Sequence, residues 1–584
     1  MNIKREYEKW VYNAQGFPWL KRELENISEN QPEINDRFYR DLEFGTGGLR
    51  GKLGAGTNRM NLFTVGKATQ GLAEYLLKNS GHPSVCIAYD TRNMSREFAE
   101  RAAQVLCANG ITVYLFDSVR PTPMLSFAVR YKKADAGVVI TASHNPKEYN
   151  GYKVYGADGG QITDRDASEI QKLINECDIF AGVKTMPFNE AFSAGLLLFI
   201  GEDVYSPYYS KVKDLVIRKE LVKNYADNLK IIYSPLHGAG NIPVRRVLAE
   251  LGFSKVQVVK KQEMPDGSFP TVINPNPEDP SVFSLAAEMA KAEAPDLVFA
   301  TDPDCDRIGV LVRHDDGEFH VLTGNQVGAL LCDYIIRSKN ELGLMPEKPV
   351  AVKTIVTSDL GKRICDFYGV DVREVLTGFK YIGELAEQWD LSHQHSFLFG
   401  YEESCGYLAG NFVRDKDAVI AAVLIAEMTL YYKRNGITLY QALISLFGKY
   451  GFFAEKLITA TMDGKDGRDE INRIISGMRS GYQNKLEDTD LAVFEDYERS
   501  VRFFCKDGKT EPLQLPKSNV LKFVFGDGSW LVLRPSGTEP KIKVYLSAFG
   551  SSYKDSRDRL KKLESIAFQI SDKIRISPVN EKAL

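Results

Sequence analysis

Ser143 stands in the run VVITASHNPKEYNGYK, directly after an apolar stretch and flanked by His144, Asn145 and Pro146. A serine presented this way suits a nucleophile or a phosphate carrier, and equally the N-cap of a helix. In VFATDPDCDR, Asp302, Asp304 and Asp306 alternate along the chain with Arg307 beside them. Carboxylates so close repel unless a cation sits between them, and an all-oxygen set suits Mg²⁺ better than zinc; the competing reading is an acidic solvated turn. In FLFGYEESCGY, Glu402 and Ser404 lie between Gly400 and Gly406, where a carboxylate and a hydroxyl could bind vicinal sugar hydroxyls or could open an acid-rich helix N-terminus. In WLVLRPSGTEPKIKVY, Arg534, Ser536, Gly537, Thr538 and Lys541 or Lys543 follow a strand; a guanidinium fork with hydroxyl and backbone donors makes an oxyanion cradle of the kind phosphate needs. The early run FGTGGLRGKLGAGTNRMN has the same character through Thr46, Gly47, Gly48 and Arg50, without the GxxxxGK[ST] order of a nucleotide loop.

The elements that must position these loops form a repeating pattern. Residues 84 to 142 alternate short β-rich runs (SVCIAYD, TVYLFD, AGVVITA) with amphipathic helical stretches, as do residues 229 to 314 and 350 to 403. In such sheets ligands bind beyond the carboxyl ends of the strands, which is where these loops fall. The tail differs: FFAEKLITATM, LAVFEDY, VLKFVFGDGSWLVLR and IKVYLSAFG predict antiparallel strands, followed by a helix with Leu560, Leu563, Ala567, Ile570 and Ile574 on one stripe. The expected architecture is α/β: three similar α/β domains with mixed, largely parallel sheets plus a C-terminal α+β domain around a central cleft. The boundaries are 1–205, 206–318, 319–455 and 456–584, in line with 584 residues at about 150 per domain.

Composition removes several classes of function. Lys plus Arg is 74 against 77 for Asp plus Glu, a net charge of −3, so no basic field favours nucleic acid. Apolar runs such as Leu196 to Ile200 are far short of the ~20 residues of a membrane helix. The charged start MNIKREYEKW predicts a cytoplasmic protein. The 8 cysteines form no CxxC pair, which argues against a zinc ribbon or a redox motif, and disulfides are not expected.

TASHNP, DPDCDR, GYEESCGY and RPSGTEPK, in this order, resemble the four active-site loops of the α-D-phosphohexomutase superfamily. FGTGGLRG, the YDTR at Tyr89 to Arg92, TGFKYIG at Thr377 to Gly383 and RDKDA at Arg414 to Ala418 extend the likeness. The EESxG form and the length are most similar to the long phosphoglucomutase/phosphomannomutase branch. The resemblance implies that Ser143 carries a phosphoryl group and that Asp302, Asp304, Asp306 and the phosphoserine hold Mg²⁺, with Arg307 offsetting charge on the same phosphate. It also implies that Thr377, Gly378, Glu402 and Ser404 read the sugar, and that Arg534, Ser536, Gly537, Thr538 and Lys543 take the non-reacting phosphate. Arg50 and His144 join the catalytic set, with Lys153 and Lys380 as proton acceptors or electrostatic helpers.

The expected reaction interconverts glucose 1-phosphate and glucose 6-phosphate through glucose 1,6-bisphosphate, the activator and intermediate. Alternatives are a phosphomannomutase, a phosphopentomutase or a glucose 1,6-bisphosphate synthase. A serine hydrolase is disfavoured because Ser143 sits in ASHN rather than GxSxG. Partners are small sugar phosphates, with no protein, membrane or nucleic-acid partner implied. The C-terminal domain is expected to close over substrate. Cys305 and Cys405 replace small or aliphatic residues common in relatives; they either substitute for these or make the site sensitive to thiol reagents. His237 in SPLHGAGN receives no role.

Overall fold

The computed structural model describes residues 2–570 apart from residues 46, 463, 487–488 and 537–540. It forms two compact units, one of Met1–Gly324, Ser338–Pro349 and Phe379–Gly436, the other of Asn325–Arg337, Val350–Gly378 and Ile437–Leu584. Among the described residues no helix is long and apolar enough to cross a membrane.

The first unit opens with helices Ile3–Asn13, Pro18–Asn26 and Gln31–Phe38, which bury Trp10, Leu20, Leu24, Ile34 and Phe38 in a core shared with Ala55, Phe63 and Ile179. A six-stranded sheet follows: β1 (Leu49–Lys52), β2 (Ser84–Tyr89), β3 (Thr112–Phe116), β4 (Ala136–Ile140), β5 (Tyr149–Gly156) and β6 (Leu197–Ile200), ordered β1-β5-β4-β2-β3-β6. β2, β3, β4 and β6 pair parallel, whereas β5 runs antiparallel to β4 and β1. β2 and β4 are buried almost throughout. Helices packed over both faces of a parallel sheet cause this, and explain why the strands read as unbroken apolar runs. A five-stranded sheet repeats the plan with β7 (Ile231–Ser234), β8 (Val256–Val258), β9 (Leu297–Thr301), β10 (Ile308–Arg313) and β11 (Phe319–Leu322), ordered β11-β10-β9-β7-β8. The antiparallel hairpin of β14 (Ser396–Glu402) and β15 (Gly406–Ala409) also belongs to this unit.

The second unit holds a parallel pair, β12 (Pro349–Thr354) and β13 (Asp371–Val375), with helix Asp359–Tyr368 between them in sequence. It also holds a seven-stranded antiparallel sheet of β16 (Phe452–Thr461), β17 (Leu491–Asp496), β18 (Val501–Phe504), β19 (Thr510–Pro512), β20 (Leu521–Phe525), β21 (Trp530–Pro535) and β22 (Lys541–Gly550). Helix Tyr553–Ile570 buries Leu563, Ala567 and Ile570 on that sheet; Leu560 is partly buried there, and Ile574 lies outside the described residues. Buried Lys353 binds Thr357 O at 3.0 Å, Asp359 at 2.9 Å and Glu374 at 2.7 Å. The Trp530 indole donates to Asp359 at 3.0 Å, and Lys522 donates to Ile355 O at 3.0 Å. These contacts fasten β20 and β21 to the β12–β13 pair.

On β16, the Glu455 carboxylate accepts from Asn325 Nδ2 at 2.7 Å, while its Oε1 is buried with no hydrogen-bond partner. Burial pushes this carboxyl up to about 7. A carboxyl raised in the folded state binds its proton more tightly there than in the unfolded chain. It therefore withdraws stability as pH rises from the ordinary 4.5 through about 7. Glu455→Gln is expected to flatten the fall in Tm across that window; equal slopes for variant and wild type in calorimetric scans would count against the assignment.

Candidate functional site

β4 ends at Ile140, and the chain turns at Ser143 in the left-handed region, φ 51°. No helix begins there, so Ser143 is not an N-cap. Its amide donates to Thr141 Oγ1 at 2.8 Å, and its hydroxyl donates to Asp302 Oδ2 at 2.9 Å, with His144 Nδ1 3.2 Å from Oγ. The serine is 3% exposed. Arg50 on β1 reaches the same loop, 3.4 Å from Asn145 Oδ1. β1 depends on the turn before it: at Gly48, φ 73°, a Cβ would lie 1.9 Å from Tyr152 O of β5.

The acidic run is a tight turn between β9 and β10, not a solvated one. Asp302, Asp304 and Asp306 are 0–1% exposed, and one oxygen from each lies within 4.8 Å of the others. Asp302 Oδ1 accepts the amides of Asp306 at 3.1 Å and Arg307 at 3.0 Å, which wraps the turn around that carboxylate. Two charges about 4 Å apart repel by about 4 kcal/mol at an effective permittivity near 20, so three buried carboxylates need cations. Two ammonium groups supply part of this. Lys153 of β5 lies 3.2 Å from Asp304 Oδ2 and 4.0 Å from Asp306 Oδ2, and Lys416 lies 2.9 Å from Asp306 Oδ2. Thr122 Oγ1 adds a 3.0 Å hydrogen bond to Asp304 Oδ2.

The compensation is uneven. Burial, then the charges of Asp304 and Asp306, push Asp302 well above the usual carboxylate range, and burial also raises Asp306. Burial would raise Asp304 too, but the Lys153 ammonium holds it low. Asp304 Oδ1 and Asp306 Oδ1 are buried without a hydrogen-bond partner. Orphaned oxygens on an all-carboxylate set fit a hard divalent cation such as Mg²⁺. Asp302, Asp304 and Asp306 are thus the residues able to hold one.

Glu402 and Ser404 sit at a β-hairpin, not at a helix N-terminus: Glu402 closes β14 opposite Gly406. Glu402 is 5% exposed. The hairpin is attached through its backbone, because Ile308 N donates to Cys405 O at 3.1 Å and Arg307 Nη1 to Ser404 O at 3.2 Å. Arg307 also pairs with Glu278 at 2.7 Å. Cys305 and Cys405 are buried, and burial pushes both thiols up, so they take the place of small apolar side chains rather than offering reactive thiolates. Lys380 pairs with Asp164 at 3.1 Å, apart from the aspartate turn's ion pairs. Lys416, Thr122 and Glu278 escaped the sequence reading; only Lys416 had a local signal, the charged run RDKDA.

The second unit carries the remaining candidates. Thr377 Oγ1 is buried without a hydrogen-bond partner just beyond β13, beside Gly378 with φ 126°. Arg534 faces Lys543 across the β21–β22 register and donates to Tyr545 OH at 3.4 Å; Ser536 N donates to Lys541 O at 2.8 Å. Gly537 and Thr538 lie outside the described residues.

Four family models match in order: phosphoglucomutase/phosphomannomutase α/β/α domains I, II and III over residues 41–179, 206–317 and 323–450, and the C-terminal domain over 485–557. A phosphoglucomutase of Staphylococcus epidermidis is 40% identical over 520 residues, covering 89% of this chain and 93% of its own. The Paramecium exocytosis-sensitive phosphoprotein parafusin, a phosphoglucomutase in its open form, superposes with TM-score 0.68 at 18% identity over 93% of this chain and 98% of its own. An Aspergillus fumigatus N-acetylphosphoglucosamine mutase in complex with GlcNAc-6P and magnesium superposes with TM-score 0.51 at 14% identity over 96% and 100%.

A cation seated on the aspartate turn binds only the folded chain, so Mg²⁺ is expected to raise Tm, by about 2.7 kcal/mol of stabilisation at a hundred times its Kd. Asp306→Asn is expected to lose most of that rise. A thermal shift equal to that of wild type would count against the site.

Proposed function

This chain belongs to the phosphoglucomutase/phosphomannomutase family, and from that premise we propose that it interconverts glucose 1-phosphate and glucose 6-phosphate by way of a phosphoryl group carried on Ser143. The observation that carries this reading is the 2.9 Å contact of Ser143 Oγ with Asp302 Oδ2, at the rim of a carboxylate trio.

A phosphoryl group on Ser143 adds about two negative charges to a site whose three carboxylates and two ammonium groups already sum to −1. Mg²⁺ bound by Asp302, Asp304 and Asp306 would supply the offsetting charge and bind a phosphoryl oxygen. Lys153 and Lys416, each ion-paired with an aspartate of the trio, act as fixed cations beside the transferring group. Arg307 holds the hairpin against the turn and adds positive charge; His144 orients the Ser143 oxygen and Arg50 faces the loop that bears it.

In the first half-reaction the Oγ–P bond breaks and a P–O bond forms to the free sugar hydroxyl. That hydroxyl's proton replaces the phosphoryl on Ser143, so glucose 1,6-bisphosphate and unmodified serine result. After the bisphosphate turns over, the other phosphate returns to Oγ by the reverse step. Glu402, Ser404, Thr377 and Gly378 read the sugar; Arg534, Ser536, Gly537, Thr538 and Lys543 take the phosphate that is not reacting, and Lys380 serves as an outlying cation. The domains proposed for this work are 1–205, 206–318, 319–455 and 456–584.

Glucose is favoured because the Staphylococcus relative is named phosphoglucomutase. Mannose phosphate is the second reading, since the family description also carries phosphomannomutase.

Conversion of glucose 1-phosphate is to be measured with Mg²⁺ and trace glucose 1,6-bisphosphate, beside mannose 1-phosphate and ribose 1-phosphate. Glucose is expected to be fastest, and Ser143→Ala to lose about 10³-fold or more while binding no phosphoryl group. Faster turnover of mannose or ribose would replace the sugar and keep the carrier; dependence on a stoichiometric phosphoryl donor would replace the mutase with a synthase.

A further inference from the structure

The left-handed turn at Ser143 has no glycine to make it easy, and on the order of 1–3 kcal/mol must come from surrounding contacts. Those contacts converge on one guanidinium. Arg92, 3% exposed, donates through Nη1 to Pro146 O at 2.9 Å and Tyr149 O at 3.1 Å, and through Nη2 to Ser143 O at 2.5 Å and to Asn145 O. It thus gathers four carbonyls of the serine loop around a single cation. Its charge is met by Asp90, at 3.4 Å, and both side chains are fully buried. Asp90 in turn accepts from Ser95 Oγ at 2.7 Å and Thr141 Oγ1 at 2.6 Å, and Thr141 Oγ1 is the acceptor of the Ser143 amide. The loop is therefore held at the Ser143 amide, through Thr141, and at the Ser143 carbonyl, through Arg92.

The open face of Arg92 is closed from another part of the fold. The Phe269 ring lies 5.0 Å from the guanidinium carbon, and Phe269 itself takes a left-handed backbone, φ 44°. Gly267 allows this approach, since a Cβ there would stand 2.3 Å from Asn93 N. His237 braces the loop that carries them: one ring nitrogen is 3.2 Å from Met264 O and the other 2.9 Å from Thr271 Oγ1. Two residues on, Ala239 N donates to Pro303 O at 2.8 Å, inside the aspartate turn. One strut thus reaches both the serine loop and the carboxylates.

We propose that Arg92, oriented by Asp90 and Thr141 and backed by Phe269, is the positioning residue that aims Ser143 Oγ at the reacting phosphoryl group, with His237 bracing the loop that carries Phe269. The proposal rests on Ser143 being the phosphoryl carrier. Arg92 touches no substrate in this account; it acts by setting the serine's backbone, and misplacement of a reacting atom by about 1 Å costs about 10²-fold in rate.

The test is single-turnover phosphorylation of Ser143 by glucose 1,6-bisphosphate, followed by mass spectrometry of the intact chain, beside steady-state kcat and KM. Arg92→Lys and Thr141→Val are expected to slow phosphorylation and kcat by about 10²-fold with KM within about threefold. Thr141→Ser, which keeps the hydroxyl, is expected to recover most of the loss. Wild-type rates in a folded Arg92→Lys or Thr141→Val, or equal losses in Thr141→Ser and Thr141→Val, would overturn the proposal. Should Arg92→Lys fail to fold, the Thr141 pair decides alone. Wild-type chain that takes no phosphoryl group on Ser143 would instead overturn the carrier reading, which separates the two.

Discussion

Mutual repulsion among three buried carboxylates is the constraint around which the first unit is built. Asp302, Asp304 and Asp306 lie within one turn between β9 and β10, and nothing in that turn neutralises all three. Beside the adjacent Arg307, 3.8 Å from Asp306, the cations come from elsewhere in the chain: Lys153 from β5, between β1 and β4 of the first sheet, and Lys416 from the segment after the β14–β15 hairpin. Removing Lys153 would take from buried Asp304 its ammonium partner, and removing Lys416 would take from Asp306 its shortest ion pair, each costlier than an exposed ion pair lost to water. Charge balance therefore pins three distant stretches of sequence to one place.

Backbone conformation meets the same demand. Ser143, Cys305 and Cys405 stand at the tips of the serine loop, the aspartate turn and the hairpin, and all three are left-handed non-glycine residues, with φ 51°, 51° and 62°. Each is held by specific backbone bonds, the Ser143 carbonyl by Arg92, the Cys305 carbonyl by Ala418 N at 3.3 Å and the Cys405 carbonyl by Ile308 N at 3.1 Å. Strain of this kind persists only where surroundings over-determine it, and here it clusters around the proposed chemistry.

Much of this was legible in the sequence, for a physical reason. Strands buried on both faces must be apolar throughout, so SVCIAYD, AGVVITA and DLVFATD declare themselves, and the residues just past them are where a parallel sheet presents its chemistry. Contributions from partners were not legible. β1 is four residues of a glycine-rich run and exists because β5 pairs with it; Thr122 and Glu278 carry no local mark of their contact with Asp304 and Arg307. The segment at Glu402 reads as a glycine-bounded loop or a helix start, and only the register of Glu402 with Gly406 shows a hairpin. His237 looked like an ordinary turn histidine because its partners, Met264 and Thr271, lie 27 and 34 residues away.

The hairpin that presents Glu402 and Ser404 is seated by the carbonyl oxygens of Ser404 and Cys405. Every amino acid brings a carbonyl, so the seat places no demand on which side chain stands at position 404. Exchange of the side chain at position 404, the proposed sugar reader, would therefore leave the turn docked. On the proposed reading, sugar selection and phosphoryl transfer rest on separable parts of the fold, so a change of one need not undo the other.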